Sequence, residues 1–103
     1  MEWHYGADSP VPMHILLERV YETDYADIPD GSIFVPKDAY TRRHIQLNTP
    51  AYVSESTLRD AGDWTYYVEL SVAKEVFEGF DGVDQQLLER LTHYAIFDDF
   101  PQE

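Results

Sequence analysis

Carboxylates are the most numerous reactive side chains of this chain, and part of their spacing suits the recognition of cations. Aspartate and glutamate together number 20, against seven lysines and arginines, which gives a net charge of −13. Within residues 75–84 an acid occurs at every third position. On a helix, positions three or four apart lie about 5–6 Å from each other, a separation comparable to that of backbone phosphates. We therefore predict that this row binds a cationic site, with Gly79 as the point where it could break.

Tyrosines among these acids could add contact area. The chain has eight tyrosines, and Tyr25 sits in an acidic segment, residues 22–30. Tyr66 and Tyr67 adjoin on a predicted strand, so one of them must point away from the core, and we assign Tyr67 to the exposed side. Tyrosine beside carboxylates is typical of recognition surfaces, although any one ring could instead fill a small core. The candidate partner-binding residues are Glu75, Glu78, Asp81, Asp84, Glu89, Asp24, Asp27, Asp30, Tyr25 and Tyr67.

The charge is distributed unevenly along the chain. Residues 1–31 carry a net charge of −6, residues 32–62 a net charge of +1, and residues 63–103 a net charge of −8. Such a field repels nucleic acids and anionic membranes, and it attracts cationic surfaces from beyond contact range. General solubility or adaptation to salt would account for the composition equally well, because the chain has only the lysines Lys37 and Lys74.

Metal-binding and catalytic motifs are not found. The four histidines, His4, His14, His44 and His93, are far apart in sequence, and there is no cysteine to join them. Neither acidic cluster has the glycine and glutamate positions of a calcium-binding EF-hand loop. No serine lies in a Gly-x-Ser-x-Gly motif, and no glycine-rich phosphate loop occurs. We therefore predict no metal, no cofactor and no catalytic residues, and a binding protein rather than an enzyme.

Length and composition indicate one domain, residues 1–103. Hydrophobic residues make up 44% of the chain, enough for a core. The absence of cysteine fits a reducing compartment without proving it. The first residues lack the basic and apolar regions of a signal peptide, and no apolar run reaches bilayer length. We expect a soluble, cytoplasmic protein.

Two helices are predicted near the two ends of the chain. The first would follow a cap at Asp8 or Ser9, with a proline in its first turn. The second would begin at Asp81, with Asp84 three residues on as an approximate capping box. The apolar positions that recur at helical spacing are Met13, Leu16, Leu17, Val20 and Tyr21 in the first helix, and Val83, Leu87, Leu88, Leu91 and Tyr94 or Ala95 in the second.

The remaining elements predict a small antiparallel sheet. Residues 64–72 alternate between large apolar or aromatic and mostly polar side chains, the period of a half-buried strand, and residues 73–77 could turn helical. Residues 37–44 fit either a helical turn or an extended segment. Shorter strands are expected over residues 2–5, 32–35, 45–47 and 51–53. The predicted fold class is α+β, a sheet of three to five strands with two helices packed on one face.

The leading functional hypothesis is a small acidic protein that inhibits or modulates a larger partner through a cationic site. The expected partner is a basic protein surface, such as that of a nucleic-acid-binding protein, with no direct contact to nucleic acid or membrane. Phage- or mobile-element-encoded inhibitors of host defence and DNA mimics have this composition. Two alternatives remain open. One is a small enzyme that uses His4 or His93 with carboxylates, and the other is an immunity protein or antitoxin.

Overall fold

A five-stranded antiparallel sheet, with a two-residue strand at each edge, forms the centre of the protein. The computed structural model describes residues 10–42, 44–55 and 60–97. In chain order the elements are β1 (Val11–Pro12), α1 (Met13–Glu22), a 3₁₀ turn (Tyr25–Asp27), β2 (Ser32–Pro36), α2 (Lys37–Thr41), β3 (Pro50–Ser54), β4 (Asp60–Ala61), β5 (Trp64–Glu69), α3 (Leu70–Val76) and α4 (Gln85–Phe97). The strand order is β1-β3-β2-β5-β4, and every neighbouring pair is antiparallel. The predicted α+β class is confirmed.

Three helices, α1, α3 and α4, pack over one face of the sheet, whereas the sequence predicts two. Helix α2 contacts β2 and β5. None of the helices in the described part of the chain is long and apolar enough to cross a membrane. The buried helix residues of the shared hydrophobic cluster are Met13, Leu16, Leu17 and Val20 of α1, Leu70 and Ala73 of α3 with Phe77 just beyond it, and Leu87, Leu88 and Leu91 of α4. The apolar faces predicted from helical spacing are therefore the ones that pack.

Helix α1 begins without a side-chain cap. Its first residue is Met13, so Pro12 stands immediately before the first turn rather than within it. The backbone N–H of Met13 donates to the carbonyl of Thr49 at 2.7 Å, and that of His14 donates to the carbonyl of Leu47 at 2.8 Å. These loop carbonyls satisfy donors that a cap would otherwise serve. The predicted caps Asp8 and Ser9, and the predicted strand over residues 2–5, lie outside the described residues.

Strand β5 is shorter than predicted and contains a bulge. It ends at Glu69, and α3 begins at the next residue. Ile33 pairs with Val68 but Phe34 pairs with Tyr66, so Tyr67 is an extra residue on the β5 side. A bulge of this kind interrupts the alternation of side chains between the two faces. Tyr67 and Val68 both enter the hydrophobic cluster, and Tyr67 is fully buried.

The assignment of Tyr67 to an exposed recognition surface is therefore wrong. The strict alternation assumed for residues 64–72 would place it opposite Val68, but the bulge turns both side chains inward. Its hydroxyl forms a 2.6 Å hydrogen bond with the hydroxyl of Thr92 on α4. Burial raises the pKa of the Tyr67 phenol well above its usual range, so it remains protonated at neutral pH. Tyr67 thus joins the sheet to α4.

Replacing Tyr67 with phenylalanine should lower the free energy of unfolding by about 0.5–1.5 kcal/mol, because it removes this partly buried hydrogen bond and retains the ring. The Thr92 hydroxyl can turn to a carbonyl of its own helix, which keeps the loss at the level of one hydrogen bond. Urea denaturation of the two proteins measures the difference. An unchanged midpoint would show that the bond adds nothing to stability.

Three further predictions from the sequence meet different outcomes. Residues 45–47 form no strand but an irregular segment, in which the Thr49 N–H donates to the carbonyl of Gln46 at 3.0 Å. Residues 37–44, which fit two conformations, contain the short helix α2. The helical tendency of residues 73–77 is real but begins earlier, at Leu70.

Aromatic side chains occupy strand positions outside the cluster beneath the helices. Phe34 of β2 stacks on Tyr52 of β3 with ring centroids 5.4 Å apart. Trp64 of β5 meets Tyr52 edge-on at 4.9 Å, and Tyr66 meets Phe34 edge-on at 6.4 Å. Such arrangements are the preferred geometries of aromatic pairs. Tyr52 and Tyr66 therefore serve packing, one of the two roles that the sequence allows for a tyrosine here.

Candidate functional site

A hydrogen bond between two exposed side chains links the two acidic parts of the chain. The Tyr25 hydroxyl, in the 3₁₀ turn, donates to the Glu75 carboxylate of α3 at 2.9 Å, across 50 residues of sequence. Tyr25 is 52% exposed, the larger value of the two exposed large hydrophobic side chains in the described residues. Its ring therefore lies on the surface beside a carboxylate, as expected of a recognition surface.

The Tyr25 phenol is influenced by a second carboxylate, that of Glu78. The hydrogen bond to Glu75 raises the pKa of the Tyr25 phenol above 10.0, and the charges of Glu75 and then Glu78 act in the same direction. A raised phenol pKa means that the folded state holds this proton more tightly than the unfolded state does. The hydroxyl therefore donates throughout the neutral range, and the stability linked to the raised pKa is lost as pH rises above the ordinary tyrosine value.

Strand register brings three further carboxylates to the same end of the sheet. Ser32, which opens β2, pairs with Ser54 on one side and with Glu69 on the other. Glu55 follows Ser54, and Asp30 lies two residues before the start of β2, so these acids lie around one end of the central strands. The candidate site, which we term the acidic end, consists of the exposed residues Asp24, Tyr25, Asp27, Asp30, Glu55, Glu69, Glu75 and Glu78.

Glu55 and Glu69 are members that the sequence reasoning missed. Each lies at or directly after the last residue of a strand, and the two strands run in the same direction because both are antiparallel to β2. That the two strands run in the same direction can be known only once their pairing with β2 is known. The sequence shows a carboxylate at the end of each strand, but without the strand order it does not show that the two carboxylates lie at the same end of the sheet.

Lys74 lies beside Glu75 in α3, but its ammonium group contacts α1 and not the carboxylates of the acidic end. Its ammonium group donates to the carbonyl of Tyr21 at 2.9 Å and lies 5.9 Å from the centre of the Tyr21 ring. Tyr21 is in the last turn of α1, where free carbonyls favour a cation. Lys74 therefore stabilises the end of α1.

Positive charge lies at the opposite end of the central strand. Lys37 opens α2 directly after β2, and its backbone N–H donates to the carbonyl of Asp63 at 2.8 Å. Arg42 follows α2 and pairs with Asp38 at 3.2 Å, with both side chains about three-quarters exposed. Five strand residues separate the two ends by about 13 Å. Lys37 and Arg42 are balanced here by Asp38 and Asp63, so the excess of negative charge lies at the acidic end.

The predicted regular row over residues 75–84 does not form. Helix α3 ends at Val76, and Gly79 has a φ of 91°, in the left-handed region that side chains disfavour. The spacing of a helical turn holds only between Glu75 and Glu78, where the Glu78 N–H donates to the Glu75 carbonyl at 3.2 Å. Asp81 lies in the following loop, exposed. The row therefore breaks at the glycine.

Asp84, and not Asp81, caps the last helix. Helix α4 begins at Gln85, and one Asp84 carboxylate oxygen accepts the backbone N–H of Leu87 at 2.9 Å. That is the geometry of a side-chain N-cap. The sequence-based assignment was three residues too early, because Asp81 and Asp84 have the same capping chemistry and only the helix start distinguishes them.

Substitution of Asp84 by alanine should lower the free energy of unfolding by about 0.5–2 kcal/mol, through loss of this cap. The matched substitution Asp81→Ala removes the same charge three residues away and should change stability by less than about 0.5 kcal/mol. Thermal or urea unfolding of both variants makes the comparison. A larger loss at Asp81 would contradict the observed helix start.

Glu89 lies in a different place from the rest of the candidates. It lines a cleft between α4 and residues 44–46, together with His44 and His93. This brings His93, a candidate of the enzyme hypothesis, close to a carboxylate and a second imidazole, while His4 lies outside the described residues.

Over the described ranges, no three metal-binding side chains are arranged to share an ion. His14 pairs instead with Glu18 of its own helix at 3.5 Å.

Comparisons with known proteins add no relative: no family model, curated protein or solved structure matches the chain.

Proposed function

We propose that this chain is a small acidic binding protein that inhibits or modulates a larger partner by placing its acidic end in a cationic site. The observation that carries the proposal is the hydrogen bond between Tyr25 and Glu75. It joins segments from the two strongly negative parts of the chain and holds an exposed ring between them. A rigid aromatic anchor surrounded by charge is the arrangement that recognition surfaces use.

Apart from the hydrogen bond between Tyr25 and Glu75, the fold gains no stability from the position of Glu75 and Glu78. Glu75 lies in the last turn of α3 and Glu78 just beyond it, where the helix dipole is negative and favours a cation. Neither makes an ion pair with Lys74, whose ammonium group is directed to α1. Carboxylates placed where they weaken a helix are better accounted for by binding.

The partner site that fits is a basic groove, such as that of a nucleic-acid-binding protein. The break at Gly79 removes the extended helical row, so the resemblance to phosphates would rest on the clustered acids at the strand ends rather than on a periodic helix face. An inhibitor of host defence and an immunity protein would use the same surface. They differ in the partner, a nucleic-acid-binding enzyme or a toxin.

Capture of the partner by matched variants tests the proposal. Tagged parent protein is compared with Glu75→Lys/Glu78→Lys and with Asp38→Lys/Asp63→Lys, which makes the same change in charge at the opposite end of β2. The proposal expects a partner that the parent and the control retain and the first variant loses. The purified partner should then bind nucleic acid in competition with this protein. Equal capture by all three proteins would contradict the proposal.

A further inference from the structure

A polar cleft of about 310 Å³ lies between α4 and residues 44–46, and shares no lining residue with the acidic end. Its volume is at the lower end of the range for small-molecule sites. One wall is a stripe of α4 formed by Gln85, Glu89, Thr92 and His93, which recur at helical spacing. The stripe borders the buried face of the helix and is polar, so the cleft suits a polar ligand.

Both walls of the cleft are held in position. In the loop wall, the His44 N–H donates to the carbonyl of Ala39 at 2.9 Å, and the Gln46 N–H donates to the Thr49 hydroxyl at 2.8 Å. Ile45 anchors this wall in the core with 6% exposure. On the helix wall, Thr92 is held by the hydroxyl of Tyr67. The backbone of the loop wall and the Thr92 side chain are therefore fixed before a ligand binds, which lowers the cost of ordering this part of the site.

The lining chemistry selects the charge of the ligand. The two side-chain amides and two imidazoles can each donate or accept hydrogen bonds, whereas Glu89 supplies a full negative charge, so the charge selection comes from Glu89. Among the described lining residues there is neither lysine nor arginine, and the chain's net charge of −13 disfavours an anion. A planar guanidinium could pair with the Glu89 carboxylate through two parallel hydrogen bonds.

We propose that this cleft binds a compact organic cation with a guanidinium or ammonium group, and that Glu89 is its counter-ion. The proposal is independent of the function assigned to the acidic end, because the two sites have no residue in common. The occupant proposed is a free molecule, and an arginine side chain carried by a protein is the alternative that the test separates.

Nuclear magnetic resonance titration tests this, with butylguanidinium as the probe and butylurea as its uncharged isostere. Butylguanidinium should bind saturably, shifting the amide signals of Ile45 and Thr92, and butylurea should bind much more weakly. Glu89→Gln should weaken butylguanidinium binding by about three- to tenfold, the range for a partly solvated charged pair. Glu78→Gln removes the same charge from the acidic end and should leave the affinity nearly unchanged.

Four outcomes would overturn the proposal. Equal weakening by Glu89→Gln and Glu78→Gln would reduce the effect to attraction by the overall field, and equal binding of butylurea would remove the requirement for charge. Shifts that do not saturate would show that no site exists. Tighter binding of the blocked peptide Gly-Arg-Gly than of butylguanidinium would assign the cleft to a protein's arginine instead of a free cation.

Discussion

Reversing Glu75 and Glu78 to lysine should slow association with the partner by about tenfold or more at low salt, because steering by the acidic end is lost. The difference should nearly vanish at about 1 M salt, where the screening length falls to about 3 Å. Surface plasmon resonance across a salt series measures both. Asp84 is left unchanged because its side chain caps α4, and its loss would confuse stability with binding.

Two further variants separate charge from the Tyr25 contact. Asp38→Lys/Asp63→Lys makes the same change in net charge and should slow association much less. Glu75→Gln/Glu78→Gln removes the charge and retains an amide oxygen that can accept from the Tyr25 hydroxyl, so it should show an intermediate rate. If the lysine variant of Glu75 and Glu78 bound as fast as the parent at low salt, the acidity would serve only solubility.

Replacing Leu88 with alanine should lower the free energy of unfolding by about 2–5 kcal/mol. Leu88 is fully buried in the cluster that α4 forms with α1 and the sheet. The substitution removes buried methyl groups and leaves a cavity that the fixed neighbours can fill only in part. Urea denaturation at neutral pH measures the change, with the transition followed through the tryptophan signal.

The control for Leu88 is its neighbour on the exposed side of the same helix. Gln86→Ala places the same residue type two positions away, where the side chain is exposed, and should change stability by less than about 0.5 kcal/mol. A loss of that small size at Leu88 as well would mean that α4 is peripheral and does not cover the sheet.

Helical spacing predicted the packing faces correctly because burial is a local periodic property. Met13, Leu16, Leu17 and Val20 recur at the period of a helix, and each is fully buried. Strand alternation was less reliable because a single extra residue shifts it by one place. The bulge at Tyr67 depends on how β2 and β5 align, which is a property of two distant segments. No pattern within residues 64–72 encodes it.

In the candidate site, too, some features could be predicted from the sequence and others depended on contacts between distant segments. Tyr25, Glu75 and Glu78 were identified from acidic context and spacing, and the structure brings them together. Asp84 was identified for the wrong reason, since its carboxylate caps a helix, and Glu89 belongs to a separate cleft. The sequence contains the residue types, but whether an acid is a cap, a surface charge or a cleft wall depends on where each helix begins and what packs against it.

The sequence by itself determined the α+β class, the apolar faces of α1 and α4, and a negative charge concentrated in the first and last thirds of the chain. These properties follow from the composition of the chain and from the periodic spacing of residues within single segments, and neither depends on which distant segments come into contact. Only the tertiary structure decided that the two negative parts share one end of the sheet. Antiparallel pairing sends the connections before β2 and after β3 and β5 to the same side, and the contact between Tyr25 and Glu75 spans 50 residues.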